Sequence, residues 1–76
     1  MRRERVIPGP DVWLAQIFEA RAVARGGVVR RQRRDIERHV GWERLVAEVK
    51  RRGFHLVKTG DQVLILCHSG HFRVIC

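Results

Sequence analysis

The side chains in this 76-residue chain that could ligate a metal or attack a substrate cluster toward its end: His55, Cys67, His68, His71 and Cys76, with hydroxyls at Thr59 and Ser69. A structural zinc needs four converging donors, whereas neighbours such as Cys67 and His68 point to opposite faces of a strand. No CxxC or HxxxH spacing is present. Nucleophilic chemistry at Ser69 would need His68 or His71 oriented by a carboxylate, and the nearest, Asp61, belongs to a different turn. Gly26-Gly27 lacks the surrounding residues of a phosphate-cradling loop. The sequence therefore predicts a non-enzymatic protein with no catalytic residues, metal or cofactor. The two cysteines read as free thiols. If a turn at Ser69-Gly70 folds two strands together, Cys67 falls opposite Phe72 and Cys76 opposite Val63, not opposite each other.

Positive charge is the chemistry this chain has in quantity. Sixteen Lys and Arg stand against eight Asp and Glu, a formal net charge of +8, which calls for a polyanionic partner. Between Arg21 and Arg52 lie eleven basic residues and four acidic ones, so one segment carries nearly all of the excess. The candidate phosphate-binding residues are Arg30, Arg31, Arg33, Arg34, Arg38, Arg44, Lys50, Arg51 and Lys58. No segment approaches the eighteen or so apolar residues of a membrane span, and MRRERVIPGP lacks the apolar run of a secretory signal. A cytoplasmic protein without a membrane partner is expected.

The elements that must position these charges follow from apolar spacing. Residues 1–10, with three arginines and Pro-Gly-Pro, read as a flexible basic arm, and 11–76 as a single domain. Asp11 is a plausible N-cap for a helix reaching Arg25, its apolar face traced by Trp13, Leu14, Ile17, Phe18, Ala20 and Ala22. After Gly26-Gly27, Val28-Val29 suggests a minimal edge strand. Ile36 and Val40 share one face of a short second helix, and Trp42, Leu45, Val46 and Val49 form the stripe of a third. Gly41 supplies the turn between them and Gly53 a left-handed stop. Phe54–Lys58 and Val63–Cys67 then read as a hairpin turning at Gly60-Asp61, followed by a short last strand over 72–76. The predicted class is α+β, three helices followed by a C-terminal hairpin or three-stranded antiparallel sheet. Strand 63–67 is apolar throughout and needs cover on both faces, which a homodimer through 63–67 or 72–76 would supply.

Helix, short strand, two helices and a hairpin is the order of the winged helix-turn-helix family, which the chain resembles from Asp11 to about Cys67. DIERHVG stands as the first helix of the motif, WERLVAEVKRRG as the recognition-type helix and FHLVKTGDQVLILC as the wing. The resemblance implies groove contacts from the face bearing Arg44, Ala47, Glu48 and Arg51, and backbone contacts from Lys58, Thr59 and Gly60. Glu43 and Glu48 depart from it, because carboxylates repel phosphates; Glu48, four residues before Arg52, has a partner in reach.

A second resemblance covers Leu45 to Ile75, which is similar to the HicA family of small toxin ribonucleases with a double-stranded-RNA-binding-like fold. Gly53-Phe54 matches, but Gly60-Asp61-Gln62 stands where that family has Gly-Ser-His, and glutamine cannot exchange a proton near neutral pH. This implies an RNA-binding domain without activity. The whole chain also resembles short α-proteobacterial proteins sharing an IFEARAVARGGVVRR-type and an RRGFHLV-type segment. Some of these are described as phosphoribosylanthranilate isomerases, but that enzyme is a (β/α)₈ barrel of about 200 residues or more, which 76 cannot build.

The leading functional expectation is a small double-stranded-DNA-binding transcriptional regulator. Arg30 to Arg38 would neutralise phosphates while Arg44, Lys50 and Arg51 approach the groove. The alternative is a protein-interaction module or antitoxin-like partner pairing through its C-terminal strands, with an acidic protein accounting for the charge. RNA is disfavoured by the scarcity of aromatics on the strands, where only Phe54 and Phe72 stand.

Overall fold

The computed structural model describes residues 9–76. The basic arm expected over residues 1–10 lies outside them except for Gly9 and Pro10. The fold is α+β, with elements in the order α1 (Pro10–Phe18), α2 (Arg21–Ala24), β1 (Val28–Gln32), α3 (Arg33–Asp35) running into a π-helical turn (Ile36–Val40), α4 (Trp42–Arg52), β2 (His55–Thr59) and β3 (Gln62–Leu66). None of these helices is long and apolar enough to cross a membrane.

The helix expected from Asp11 to Arg25 is two helices. It opens at Pro10, whose fixed φ and missing N–H suit the first helical position, and Gly9, not Asp11, is its cap residue. It breaks at Glu19-Ala20, where Ala20 turns extended (φ −60°, ψ 148°). The periodicity gives a reason: at 3.6 residues per turn, the face that buries Ile17 and Phe18 would continue at Arg21 and Arg25. Breaking there leaves Arg21 and Arg25 exposed and lets Ala22 and Val23 pack against the core.

The π-helical turn after α3 meets α4 at Gly41, with φ 92° that a side chain would resist. Just before it the helix widens: Gly41 N–H bonds the Ile36 carbonyl, five residues back, at 2.7 Å, with Ile36 and Val40 both buried. At its far end α4 stops as the sequence predicts. Gly53 is left-handed (φ 75°), its N–H reaching Lys50 O at 3.0 Å and Phe54 N–H reaching Val49 O at 2.9 Å, the paired bonds of a Schellman stop.

The sheet is antiparallel in the order β1-β3-β2. Two residues, Gly60 and Asp61, turn the β2–β3 hairpin. The third strand is β1 on the far side of β3; residues 72–76 are not a strand, and the pairing of Cys67 with Phe72 does not form. Val28 and Val29 begin a five-residue strand that takes the edge a last strand would have used. Val29, Val63, Ile65 and Cys67 face inward and close a core with Ile17, Phe18, Ile36, Val40, Leu45 and Val49. The stripe predicted for α4 is half right: Leu45 and Val49 are buried, whereas Trp42 and Val46 are only half-buried on its flank.

Candidate nucleic-acid interface

The arginine run spans two elements. Arg30 and Arg31 stand on β1, facing opposite ways, while Arg33, Arg34 and Arg38 follow on α3 and the π-helical turn. Strand pairing brings the hairpin beside them: Gln32 is opposite Gln62, Gln62 is opposite Thr59, and Val63 lies between Arg31 and Lys58. The Arg33 N–H donates to the Asp61 carbonyl at 2.8 Å, tying the start of α3 to the hairpin tip. Gln32, Arg33, Arg34, Asp61 and Gln62 together line an open cleft of about 440 Å³. Two guanidinium groups and two amides there can donate to phosphate oxygens, and the Asp61 carboxylate sets the limit on how electropositive the cleft becomes. Arg33 and Arg34 thus line the cleft, Arg31 and Lys58 flank Val63 on the core-facing side of the sheet, and Arg30 stands on the opposite side beside Leu64.

Ion pairing divides the predicted contacts. Among the described residues, Arg30, Arg31, Arg34, Arg38, Lys50 and Lys58 make no ion pair, and Arg33 makes a long one with Glu37 at 3.7 Å. Arg44 is held by Asp11 at 2.7 Å. Arg51 takes Glu48 bidentately, Nε to Oε1 at 3.0 Å and Nη2 to Oε2 at 2.5 Å, while Arg52 Nε reaches the same Oε2 at 2.6 Å. The Glu48–Arg52 pair expected from their spacing is formed. Arg44, Glu48 and Arg51 thus make up a flank of α4 on which carboxylates offset the charge. The face on which the resemblance would centre groove contacts is the face where charge is already matched.

Hydrogen bonds from Arg51, and next from Arg52, hold the Glu48 carboxyl well below its ordinary 4.5, at about 2. Its folded value is depressed, so this contribution to stability is complete above pH 4.5 and is lost as pH falls toward 2. Arg51 is largely exposed, so solvent screens the pair and the loss is well below what the full shift would give. Urea-unfolding midpoints measured across that range are expected to fall, and Glu48→Gln to flatten this part of the profile.

The other flank of α4 carries a feature that the sequence reading assigned to the core. Trp42, Glu43, Val46, Ala47 and Lys50 line a shallow groove of about 450 Å³. Trp42 is fixed from two sides: its Nε1–H donates to Glu37 Oε2 at 3.1 Å, and Lys58 Nζ sits 5.3 Å from the ring centroid. This contact brings Lys58 of the hairpin to the flank that bears Lys50. The signal was in the sequence, because Trp42, Val46 and Lys50 lie four apart, but Leu45 and Val49 compete for the same inward direction.

The residues weighed for metal or nucleophilic chemistry disperse. Cys67 is buried, burial pushing its thiol up, while His68, Ser69, His71 and Cys76 are exposed. Among the described residues no three His, Cys, Asp or Glu side chains come together as metal ligands. Gln62, which the HicA resemblance would set in the place of a histidine, opens β3 and is exposed. Compared with protein families, curated proteins and solved structures, the chain matches none.

Proposed function

We propose that the chain is a non-enzymatic nucleic-acid-binding domain of winged helix-turn-helix type, a small regulator that grips the backbone of double-stranded DNA. The observation that carries this reading is the cleft beside the hairpin tip, lined by Arg33 and Arg34, with Arg31 and Lys58 on one side of the same sheet and Arg30 on the other; among the described residues only Arg33 of these five is in an ion pair. The element order supports it as well: a helical segment, a strand, two helices meeting at Gly41, and a hairpin. Lys50 extends the contact along α4 and Arg38 along the π-helical turn. Arg44 and Arg51 contribute little, since a phosphate would have to displace Asp11 or Glu48 from them.

Duplex is favoured over single-stranded RNA because the strands offer no row of free aromatics for stacking bases. Phe54 stacks with Phe18, 6.4 Å between centroids, and Phe72 lies over His55. Contacts of this kind position a protein on the duplex without selecting a sequence, so affinity is expected to be steeply salt-dependent and weakly sequence-dependent. With about five phosphates neutralised, log K falls against log salt with a slope near −4 to −5. A fluorescence-anisotropy titration of a labelled duplex across a salt series measures the slope, and a flat response would overturn the proposal.

A further inference from the structure

Alternation along the strands leaves the sheet a second face. Val29, Val63 and Ile65 point into the core; Val28, Leu64, Leu66 and Val57 point the other way, and none of these four packs against the core cluster. Register aligns Val28, Leu66 and His55 in one row across all three strands, with Arg30, Leu64 and Val57 in the next. The segment after β3 lengthens the first row. His55 Nε2–H donates to the Gly70 carbonyl at 2.7 Å, and the Phe72 ring packs over the imidazole, 4.7 Å between centroids. Val28 is 53% exposed and Phe72 49%, while Val74 at 73% and Ile75 at 83% stand in water just beyond. Among the described residues, four of the five exposed large apolar side chains thus belong to this row or to the segment leading off it, the fifth being Val12 on α1.

We propose that this face binds a second copy of the chain, the two sheets packing face to face about a twofold axis with each Phe72–Ile75 segment lying across the partner's sheet. Charge decides the occupant. In a chain of +8, an acidic partner is drawn to the arginine cleft, and the one Lys or Arg in these two rows, Arg30, stands on the edge strand β1. A surface that meets itself must be self-complementary, and a row that is apolar through its middle meets its own copy without opposing like charges. The exposed Val74 and Ile75 would complete the cover of the Leu64 and Val57 row, which is half-buried in the single chain. The row nearest the cleft, Gln32, Gln62 and Thr59, is polar and exposed and remains outside the contact, so both clefts of the dimer stay open.

The test is sedimentation equilibrium on the full chain without nucleic acid, in reducing buffer so that Cys76 cannot cross-link copies. The expected result is reversible association to twice the 8.9 kDa chain mass. Val28→Lys and Val74→Ser, both at exposed positions, each weaken the dimer by about tenfold or more, while Val12→Lys on α1 leaves it unchanged. Far-UV circular dichroism establishes that each variant is folded. A wild-type chain that stays at 8.9 kDa throughout a concentration series overturns the proposal, as does a dimer that neither Val28→Lys nor Val74→Ser weakens. Because no nucleic acid is present, the outcome is independent of the DNA-binding reading.

Discussion

Arg33→Glu combined with Arg34→Glu is expected to lower the affinity for duplex DNA by about 100-fold at moderate salt, the largest effect any pair of surface changes should have. Both side chains line the cleft, and reversing them removes two phosphate contacts while adding repulsion beside Asp61. The salt slope should become shallower by about 2, since each phosphate contact contributes roughly 0.9. Folding should survive. Arg33 loses only its 3.7 Å pair with Glu37, and the like charge four residues away costs a few tenths of a kcal/mol, about the size measured for such pairs. Arg44→Glu is the informative contrast, because Arg44 is occupied by Asp11 and should change affinity by less than about threefold. Anisotropy titrations of the two variants against wild type decide the matter. Equal losses would mean that charge anywhere suffices, and no loss in the double variant would remove the cleft from the interface.

The largest expected effect on stability is at Leu45, which is fully buried beneath α4 at the centre of the core. Leu45→Ala removes its contacts and leaves a cavity, costing about 2–5 kcal/mol. A domain of this size has total stability of roughly 0.05–0.15 kcal/mol per residue, so the change consumes much of it. In a thermal melt at fixed protein concentration, each kcal/mol corresponds to about 4–8 °C, so the variant should melt at least ~10 °C lower or be unfolded at room temperature. Val46→Ala, one residue along, should cost under about 1 kcal/mol because Val46 is only half-buried on the groove flank. Equal losses at the two positions would show that α4 sits rotated from the orientation described.

That contrast locates what could be read from the sequence. Ile36 and Val40 four apart, the glycines at 41 and 53, and the Gly60-Asp61 turn each correspond to local backbone geometry, and each is found where the residue types require it. The Glu48–Arg52 pair was legible for the same reason, because i and i+4 are neighbours on any helix. Where two local solutions competed, local reasoning chose wrongly. The stripe at 42, 45, 46 and 49 is wide enough to be rotated by a fraction of a turn, and only packing against Val63 and Ile65 selects Leu45 and Val49 over Val46. An unbroken first helix is locally acceptable too; it fails because it would turn Arg21 and Arg25 toward the core.

By itself, the sequence determined that the chain is α+β, that the chain turns at Gly41, Gly53 and Gly60-Asp61, and that its excess charge lies between Arg21 and Arg52. Tertiary structure decided which of those charges remain available and where they meet. Arg44 is matched by Asp11, 33 residues earlier, and the arginines of β1 and α3 join Lys58 only because β1 pairs on β3. It also decided that residues 72–76 do not form a strand beside β3, whose second edge is already taken by Val28–Gln32. Both outcomes depend on contacts between residues distant in sequence, which helical and strand periodicities do not encode.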